Sequence, residues 1–463
     1  MHSQPTTHSK KQLPRASKPA AGTPMSMPPY PRTTRAAEIC LMVIIGMVPF
    51  HAFLTVWGAS FGLNYTALRL WSLVPLFLLA LFAAYWCWRD RALRQWLTRS
   101  YLMRLVAVYA FLMLVLGARG LVMGTVSLSA FCLGLYLNLR FLALFVAVVM
   151  LMRYARSHQE RWLRPVFVTA TIVAAFAVLQ YLVLPVDFLG HFGYGTATIE
   201  PFETINNNSE YIRVASTLRG ANPLGAYMLV IITLIVAVWR RLKPRLPWGI
   251  LLAFCLGALA FTFSRSAWLG LAVSVLFVLA VQFRPWRYRR RATLVIVALI
   301  GMLGAAYAVF GNNQFVQNML YHTDDSSTVA VSSNDQRTSA LRQGLSDVLH
   351  EPLGRGVGSA GPASMHNTEA TDRLAENYFL QIGQEIGWFG LFALFALFMA
   401  VGFQLWQQRR DPFALGLLGA FIGLFIVNML SHAWTDDTLA YIWWGLAGIV
   451  IGQRVWRRSS DGE

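Results

Sequence analysis

Residues 223–245 read PLGAYMLVIITLIVAVWRRLKPR, a run of seventeen uncharged residues that ends in four basic residues within six positions. A helix needs about 20 predominantly apolar residues to cross the hydrocarbon core of a bilayer. Basic residues collect at the cytoplasmic ends of such helices. The stretch therefore predicts a transmembrane helix, and similar stretches recur along most of the chain.

The recurring apolar runs predict an all-α polytopic membrane protein with about twelve transmembrane helices. Of the 463 residues, 56% are hydrophobic and only 13% are charged, whereas an average soluble protein has about 25% charged residues. The predicted helices cover residues 36–57, 70–88, 105–122, 135–152, 165–184, 223–239, 248–263, 267–283, 293–310, 388–406 (preceded by an amphipathic stretch at 376–387), 413–430 and 439–455.

The distribution of positive charge predicts which side of the membrane each loop faces. The net charge is +18, and 29 of the 39 lysines and arginines lie in the N-terminal tail, in every second loop or at the C-terminus. This is the positive-inside pattern of a bacterial inner-membrane protein, so the charge does not indicate nucleic-acid binding. Both termini are then cytoplasmic, and the long loops 185–222 and 311–375 are periplasmic. We expect a disordered basic tail at 1–35, helices 1–4 within 36–164, a second transmembrane region at 165–455 and a cytoplasmic tail at 456–463.

Three arginines near the periplasmic ends of the helices form a candidate anion site. Arg213 and Arg219 lie shortly before the sixth predicted helix, and Arg265 lies in the tight turn between the seventh and eighth. Guanidinium groups beside helix N-termini bind phosphate and pyrophosphate well. The alternative is that these arginines pair with Glu203, with Glu210 or with lipid phosphates.

Two residues before the tenth helix are candidates for a general base. Glu376 lies about one turn outside the membrane, where a partly buried carboxylate can accept a proton from a sugar hydroxyl. The alternative is that its charge favours the helix dipole. His366 lies ten residues earlier, in the long loop. The histidines of this loop lack metal-ligand spacing, and residues 58–69 contain no Asp-X-Asp pair, so we expect neither a metal nor another cofactor.

Five short motifs between residues 165 and 455 resemble, in their order, the O-antigen ligase and Wzy-type polymerase superfamily. They are Arg213–Pro223, Phe263–Ala267 around Arg265, Asp335–Leu341 around Arg337, Pro352–Gly358, and Glu376–Gly390 with Asn377 next to the glutamate. The resemblance implies a GT-C-like fold with a large periplasmic loop between helices 9 and 10. It also implies a metal-independent, inverting glycosyltransferase without a cofactor.

The resemblance further implies the substrates and the residue roles. The donor would be a glycan on undecaprenyl pyrophosphate, and the acceptor a hydroxyl of another glycan or of lipid A–core. Arg213, Arg219 and Arg265 would bind the donor pyrophosphate, with Arg337 and Asn377 in support. Glu376 or His366 would act as the base, and membrane lipids would surround the helices.

One departure from the family pattern bears on the acceptor. Ligases that attach O-antigen to lipid A–core carry a histidine where this sequence has Glu376. The departure favours a polymerase for O-antigen or another surface polysaccharide, and a ligase is the alternative. A transporter or flippase is a second alternative, but it would place polar groups near the bilayer midplane. Here the polar residues gather at the predicted periplasmic face instead.

Overall fold

The architecture is known from a computed structural model, which describes residues 30–155, 159–205, 208–283, 313, 333–367 and 376–460. Over these residues the chain forms fifteen α-helices and one two-stranded hairpin. The helices are α1 (Pro31–Met47), α2 (His51–Ser60), α3 (Tyr65–Leu68), α4 (Leu73–Arg89), α5 (Arg91–Arg99), α6 (Tyr101–Val122), α7 (Leu128–Leu151), α8 (Gln159–Leu182), α9 (Ala221–Val238), α10 (Arg245–Phe261), α11 (Arg265–Gln282), α12 (Ser333–His350), α13 (Tyr378–Gln407), α14 (Pro412–Leu430) and α15 (Asp437–Ser460).

The predicted membrane helices correspond well to these elements. Eleven of the twelve predicted spans overlap a helix or, for the first span, the pair α1–α2; the ninth, 293–310, lies outside the described residues. Eight spans in the described part of the chain are long and apolar enough to cross a membrane. A polytopic helical membrane protein is therefore confirmed, whereas the number twelve stays a prediction.

Two predicted membrane helices differ in detail from simple spans. The α4–α5 pair is bent by 103° between Arg89 and Arg91, so the chain turns sharply where the basic residues begin. The α10 helix has only 17 residues. The α4 and α10 helices have 17 residues each, which is fewer than the roughly 20 residues that an upright span requires.

The prediction of an all-α chain is wrong for one loop. Residues 185–222 contain a 3₁₀ helix at Phe188–Phe192 and an antiparallel hairpin of β1 (Glu203–Ile205) and β2 (Asn208–Arg213). Strands of three and six residues carry too little alternation to be predicted from the sequence. The loop predicted at 311–375 is also partly helical, with α12 and a 3₁₀ helix at Gly361–His366.

Several predicted boundaries also shift. The α8 helix begins at Gln159, so the boundary between 164 and 165 falls inside a helix, one that includes Pro165 in its second turn. The α1 helix begins at Pro31, inside the predicted tail, and α15 extends to Ser460. Proline fits the first turn of a helix because its missing amide would lack an intrahelical partner there, which explains the start at Pro31.

The centre of the bundle is α9, which is apolar all round and almost completely buried. It packs against α10, α11 and α14. Small residues allow these helices to approach closely: an added Cβ at Gly270 of α11 would meet the backbone of Gly423 in α14. Close contact between small residues is the usual source of helix association in a bilayer, where the hydrophobic effect gives no attraction between helices.

A kink divides α13 into two parts. Ile386 and Gly387 leave helical geometry, and Gly387 has φ +64° and ψ −161°. Just above the kink the buried Glu385 accepts hydrogen bonds from Asn138 Nδ2 at 3.0 Å and from the Gly358 amide at 3.1 Å. The carboxylate thus fixes the first part of α13 against α7 and the loop that follows α12.

We expect Gly387→Ala to lower the midpoint of thermal unfolding and Gly402→Ala, in the same helix, to leave it unchanged or slightly raised. A Cβ at Gly387 would collide with the Pro352 carbonyl at a positive φ, and such strain costs about 1–3 kcal/mol. At Gly402 the nearest atom would lie 3.7 Å from the new Cβ. Thermal unfolding of the detergent-purified variants, followed by tryptophan fluorescence, checks this; equal midpoints would contradict the requirement for glycine at the kink.

Candidate functional site

Four helices begin at the same end of the bundle, which we call the outer end and which the predicted topology places in the periplasm. Arg213, before α9, donates a hydrogen bond to the Thr262 carbonyl, before α11. The Tyr378 amide at the start of α13 donates to the Ser431 carbonyl after α14. Thr438, in the first turn of α15, donates to the Val48 carbonyl between α1 and α2. The segments before α9 and α11 are therefore joined directly, while the starts of α13 and α15 are each bonded to the segment that ends a neighbouring helix.

Three of these four helix starts are capped by side chains. Glu203 Oε1 accepts from the Ala221 amide of α9 at 3.0 Å. Asn377 Oδ1 accepts from two amides at the start of α13, and Asp436 Oδ1 does the same for α15. These oxygens satisfy amides that have no acceptor within their own helix.

The start of α11 differs from the other three. The side chain of its N-cap residue, Ser264, makes no capping hydrogen bond. Within the part of the chain that the structure describes, the amides of Ser266 and Ala267 have no hydrogen-bond acceptor. Arg265, at the first position of the helix, adds a half-buried guanidinium group to the positive end of the helix dipole. An anion at this position would meet both amides and a cation.

Backbone strain coincides with the two predicted arginine segments. Among the described residues other than glycine, only Ser216 (φ +53°) and Phe263 (φ +48°) have a left-handed backbone. Ser216 is held in this conformation because its amide donates to Gln180 Oε1 and its hydroxyl to the Val173 carbonyl. Such conformations persist only where the surroundings fix them, and they cluster at functional sites.

The guanidinium group of Arg213 is occupied by protein groups. Its Nε donates to the Thr262 carbonyl at 2.9 Å, its Nη2 donates to Asn222 Oδ1 at 2.6 Å, and its Nη1 lies 3.3 Å from Glu203 Oε2. The side chain is only 13% exposed. Pairing with Glu203 was one of the alternatives that the sequence left open. Arg213 thus ties the start of α9 to the turn before α11.

Arg219 has a different environment from Arg213. It is exposed, two residues before α9, in a segment that Thr217 anchors to the Pro49 carbonyl at 2.8 Å. Burial raises the pKa of the nearby Asp436 carboxyl, while the Leu439 amide and the charge of Arg219 offset part of that rise. Arg219 therefore adds positive charge beside the start of α15.

The structure also places the remaining predicted residues. Glu376 and Asn377 lie beside the end of α14, where Asn377 Nδ2 donates to the Met429 carbonyl at 2.8 Å. His366 is exposed at the end of a 3₁₀ helix, and its carbonyl accepts from the Ser127 hydroxyl before α7 at 2.9 Å. His366 and Glu376 thus pack against different helices. Arg337 lies in α12, and its side chain is outside the described residues.

A group of buried charges at the outer end was not predicted as part of the site. Arg140 of α7, with only 3% of its side chain exposed, forms an ion pair with Asp437 and donates to Tyr136 Oη and to the Thr435 carbonyl. The Asp437 carboxylate also lies 3.6 Å from His51 Nδ1. A sequence signal existed, since a charge within an apolar run is costly, but the partner of Arg140 lies at the far end of the chain.

Comparison with known proteins supports the resemblance seen in the motifs. Residues 250–395 match the family model described as O-antigen ligase. The matched region extends from α10 into α13 and includes Arg265, His366 and Glu376. The match confirms the resemblance to the O-antigen ligase and polymerase superfamily, and it supports a membrane glycan-transfer function of the ligase or polymerase kind. No curated protein matches the chain.

We expect Arg213→Lys to lower the midpoint of thermal unfolding and Arg219→Lys to leave it unchanged. Lysine keeps the charge of Arg213 but cannot donate in three fixed directions, and each hydrogen bond to a charged group contributes about 1.5–3 kcal/mol. Exposed substitutions such as the one at Arg219 usually change stability by less than about 0.5 kcal/mol. Unfolding curves of the purified variants measure this difference; an Arg213→Lys protein as stable as the wild type would contradict the structural role.

Proposed function

We propose that the protein transfers a glycan from undecaprenyl pyrophosphate to a sugar hydroxyl at the periplasmic face of the inner membrane. The observation that carries the proposal is the uncapped start of α11 with Arg265 at its first position. A pyrophosphate is a doubly charged group with several acceptor oxygens, which suits two free amides and guanidinium groups.

Arg265 and Arg219 would bind the donor pyrophosphate, and Arg213 would position them. Arg213 lies six residues before Arg219 in the same segment. It also donates a hydrogen bond to the carbonyl of Thr262, three residues before Arg265. Negative charge grows on the pyrophosphate as its bond to the sugar breaks. Donors that are already in place lower the energy of that transition state, because they need no reorganisation during the reaction.

The chemical step would be a direct displacement at the anomeric carbon. The acceptor hydroxyl oxygen forms a bond to this carbon while the bond to the pyrophosphate oxygen breaks, which inverts the anomeric configuration. Glu376 would take the hydroxyl proton, and undecaprenyl pyrophosphate would leave. His366 is the second candidate for the base, but its backbone is anchored to the start of α7. Glu376 is favoured because it lies beside the end of α14, a helix that packs against α11.

A polymerase is favoured over a ligase because Glu376 stands where the ligases that act on lipid A–core have a histidine. In a polymerase the acceptor would be another lipid-linked glycan. Arg337, in α12, and Asn377, which caps α13, would support the site from two sides. No step in this scheme uses a metal ion.

We expect Arg265→Ala and Glu376→Gln each to reduce the rate of transfer by about 100-fold or more. Loss of one preorganised donor costs about 10²–10³ in rate, and loss of a general base about 10²–10⁴. The assay uses purified protein and a synthetic undecaprenyl-pyrophosphate oligosaccharide. It follows glycan length and released undecaprenyl pyrophosphate, with and without lipid A–core.

The matched controls are Arg342→Ala and Glu200→Gln, which remove an exposed arginine of α12 and an exposed glutamate of the loop before β1. Both should keep the wild-type rate. Longer lipid-linked glycans without lipid A–core would support the polymerase, whereas product only in its presence would make the protein a ligase. Passage of the donor across vesicles without any transfer would contradict a transferase and favour a flippase.

A further inference from the structure

A groove lies at the opposite end of the bundle, which we call the inner end and which the predicted topology places in the cytoplasm. It has a volume of about 1120 Å³ and is bounded by α8, the residues after α9, the first half of α10 and the start of α14. Along α8 it extends from Leu163 to Ala175. Twelve residues of helix span about 18 Å, which is slightly more than half of a hydrocarbon core about 30 Å thick.

The mouth of the groove carries excess positive charge. Arg164, Arg241, Lys243 and Asp411 line it. Arg241 forms an ion pair with Asp411 at 3.0 Å, whereas Arg164 and Lys243 have no acidic partner within the described part of the chain. Two exposed cations therefore line one groove without a compensating acidic side chain among the described residues.

The walls of the groove are apolar and partly open to the surroundings of the bundle. Phe167 of α8 and Trp248 of α10 pack edge to face, with ring centroids 5.0 Å apart. Val168 is 53% exposed and Ile250 is 50% exposed, although both line the groove. In a membrane these exposed apolar side chains meet acyl chains and not water.

We propose that this groove binds one anionic glycerophospholipid of the inner leaflet. Its phosphate group lies between Arg164 and Lys243, and an acyl chain lies along Val168, Trp248 and Ile250. The excess of two positive charges favours a headgroup with net negative charge over a zwitterionic one, because basic groups between helices attract anionic lipid headgroups. The apolar depth favours a lipid over a soluble phosphate compound.

This site is separate from the proposed transfer site. The α9 helix has 18 residues, so its two ends are about 27 Å apart. The groove lies at the end of α9 and the candidate transfer site at its start. The lipid is therefore neither donor nor acceptor, and its binding can be measured without any transfer assay.

The test measures binding of phosphatidylglycerol and of phosphatidylcholine to the full-length purified protein by native mass spectrometry. The double variant Arg164→Gln/Lys243→Gln should bind phosphatidylglycerol about 30-fold more weakly, since each basic residue contributes about fivefold in affinity for an anionic lipid. Its binding of phosphatidylcholine should not change. Val168→Trp, which fills the wall of the groove, should weaken the binding of both lipids.

The control variant Arg91→Gln/Arg99→Gln removes two exposed arginines from α5, outside the groove, and so loses the same charge. It should bind phosphatidylglycerol like the wild type. Equal weakening in the control would show a non-specific charge effect and overturn the proposal. Unchanged binding in the groove variants would also overturn it, as would competition by inorganic phosphate at the concentrations where the lipid binds.

Discussion

The guanidinium group of Arg213 joins the starts of α9 and α11, and the arrangement of the outer end depends on that contact. It bonds to the Thr262 carbonyl, to Asn222 and to Glu203, while Glu203 caps α9. Because Glu203 accepts a hydrogen bond from the Ala221 amide, that amide of α9 is not available to a substrate. The turn held by Arg213 leads directly into the start of α11, where two amides remain available.

Most polar and charged side chains at the outer end thus stabilise the fold, as helix caps or in ion pairs. Asn377, Asp436 and Glu203 accept hydrogen bonds from helix N-terminal amides. Arg140 forms an ion pair with Asp437 and donates to the Thr435 carbonyl. Removing one partner of a buried ion pair of this kind costs about 3–5 kcal/mol. The Ser266 and Ala267 amides, which have no hydrogen-bond acceptor among the described residues, and the exposed Arg219 can respond to a substrate.

At the inner end, by contrast, two basic side chains lie beside a groove without an acidic partner among the described residues. The arginines and lysines of this end were predicted to orient the chain in the membrane. Arg164 and Lys243 differ because the helices around them leave an apolar groove beneath their charges. A pattern that specifies topology in the sequence therefore also creates a lipid site once α8, α9 and α10 are packed.

Local sequence determined the membrane helices, since a run of apolar residues long enough to cross the bilayer has few other stable forms. It also identified Arg213, Arg219, Arg265 and Glu376 as residues near the outer end, because the helix boundaries fix their level in the membrane. The short strands β1 and β2 and the helix α12 were not predicted, since none of the three has a long or strongly apolar pattern.

Only the tertiary structure decided which of these groups are paired and which are available. The pairs Arg213–Glu203, Arg140–Asp437 and Glu385–Asn138 join residues from different elements, and nothing in local spacing specifies them. The sequence by itself determined the apolar spans and the residue types at the outer end, and it predicted the orientation of the spans. The packing of the helices determined which charged side chains form ion pairs, which cap helices and which remain available. Ion pairs and caps depend on distance in space and not on distance along the chain.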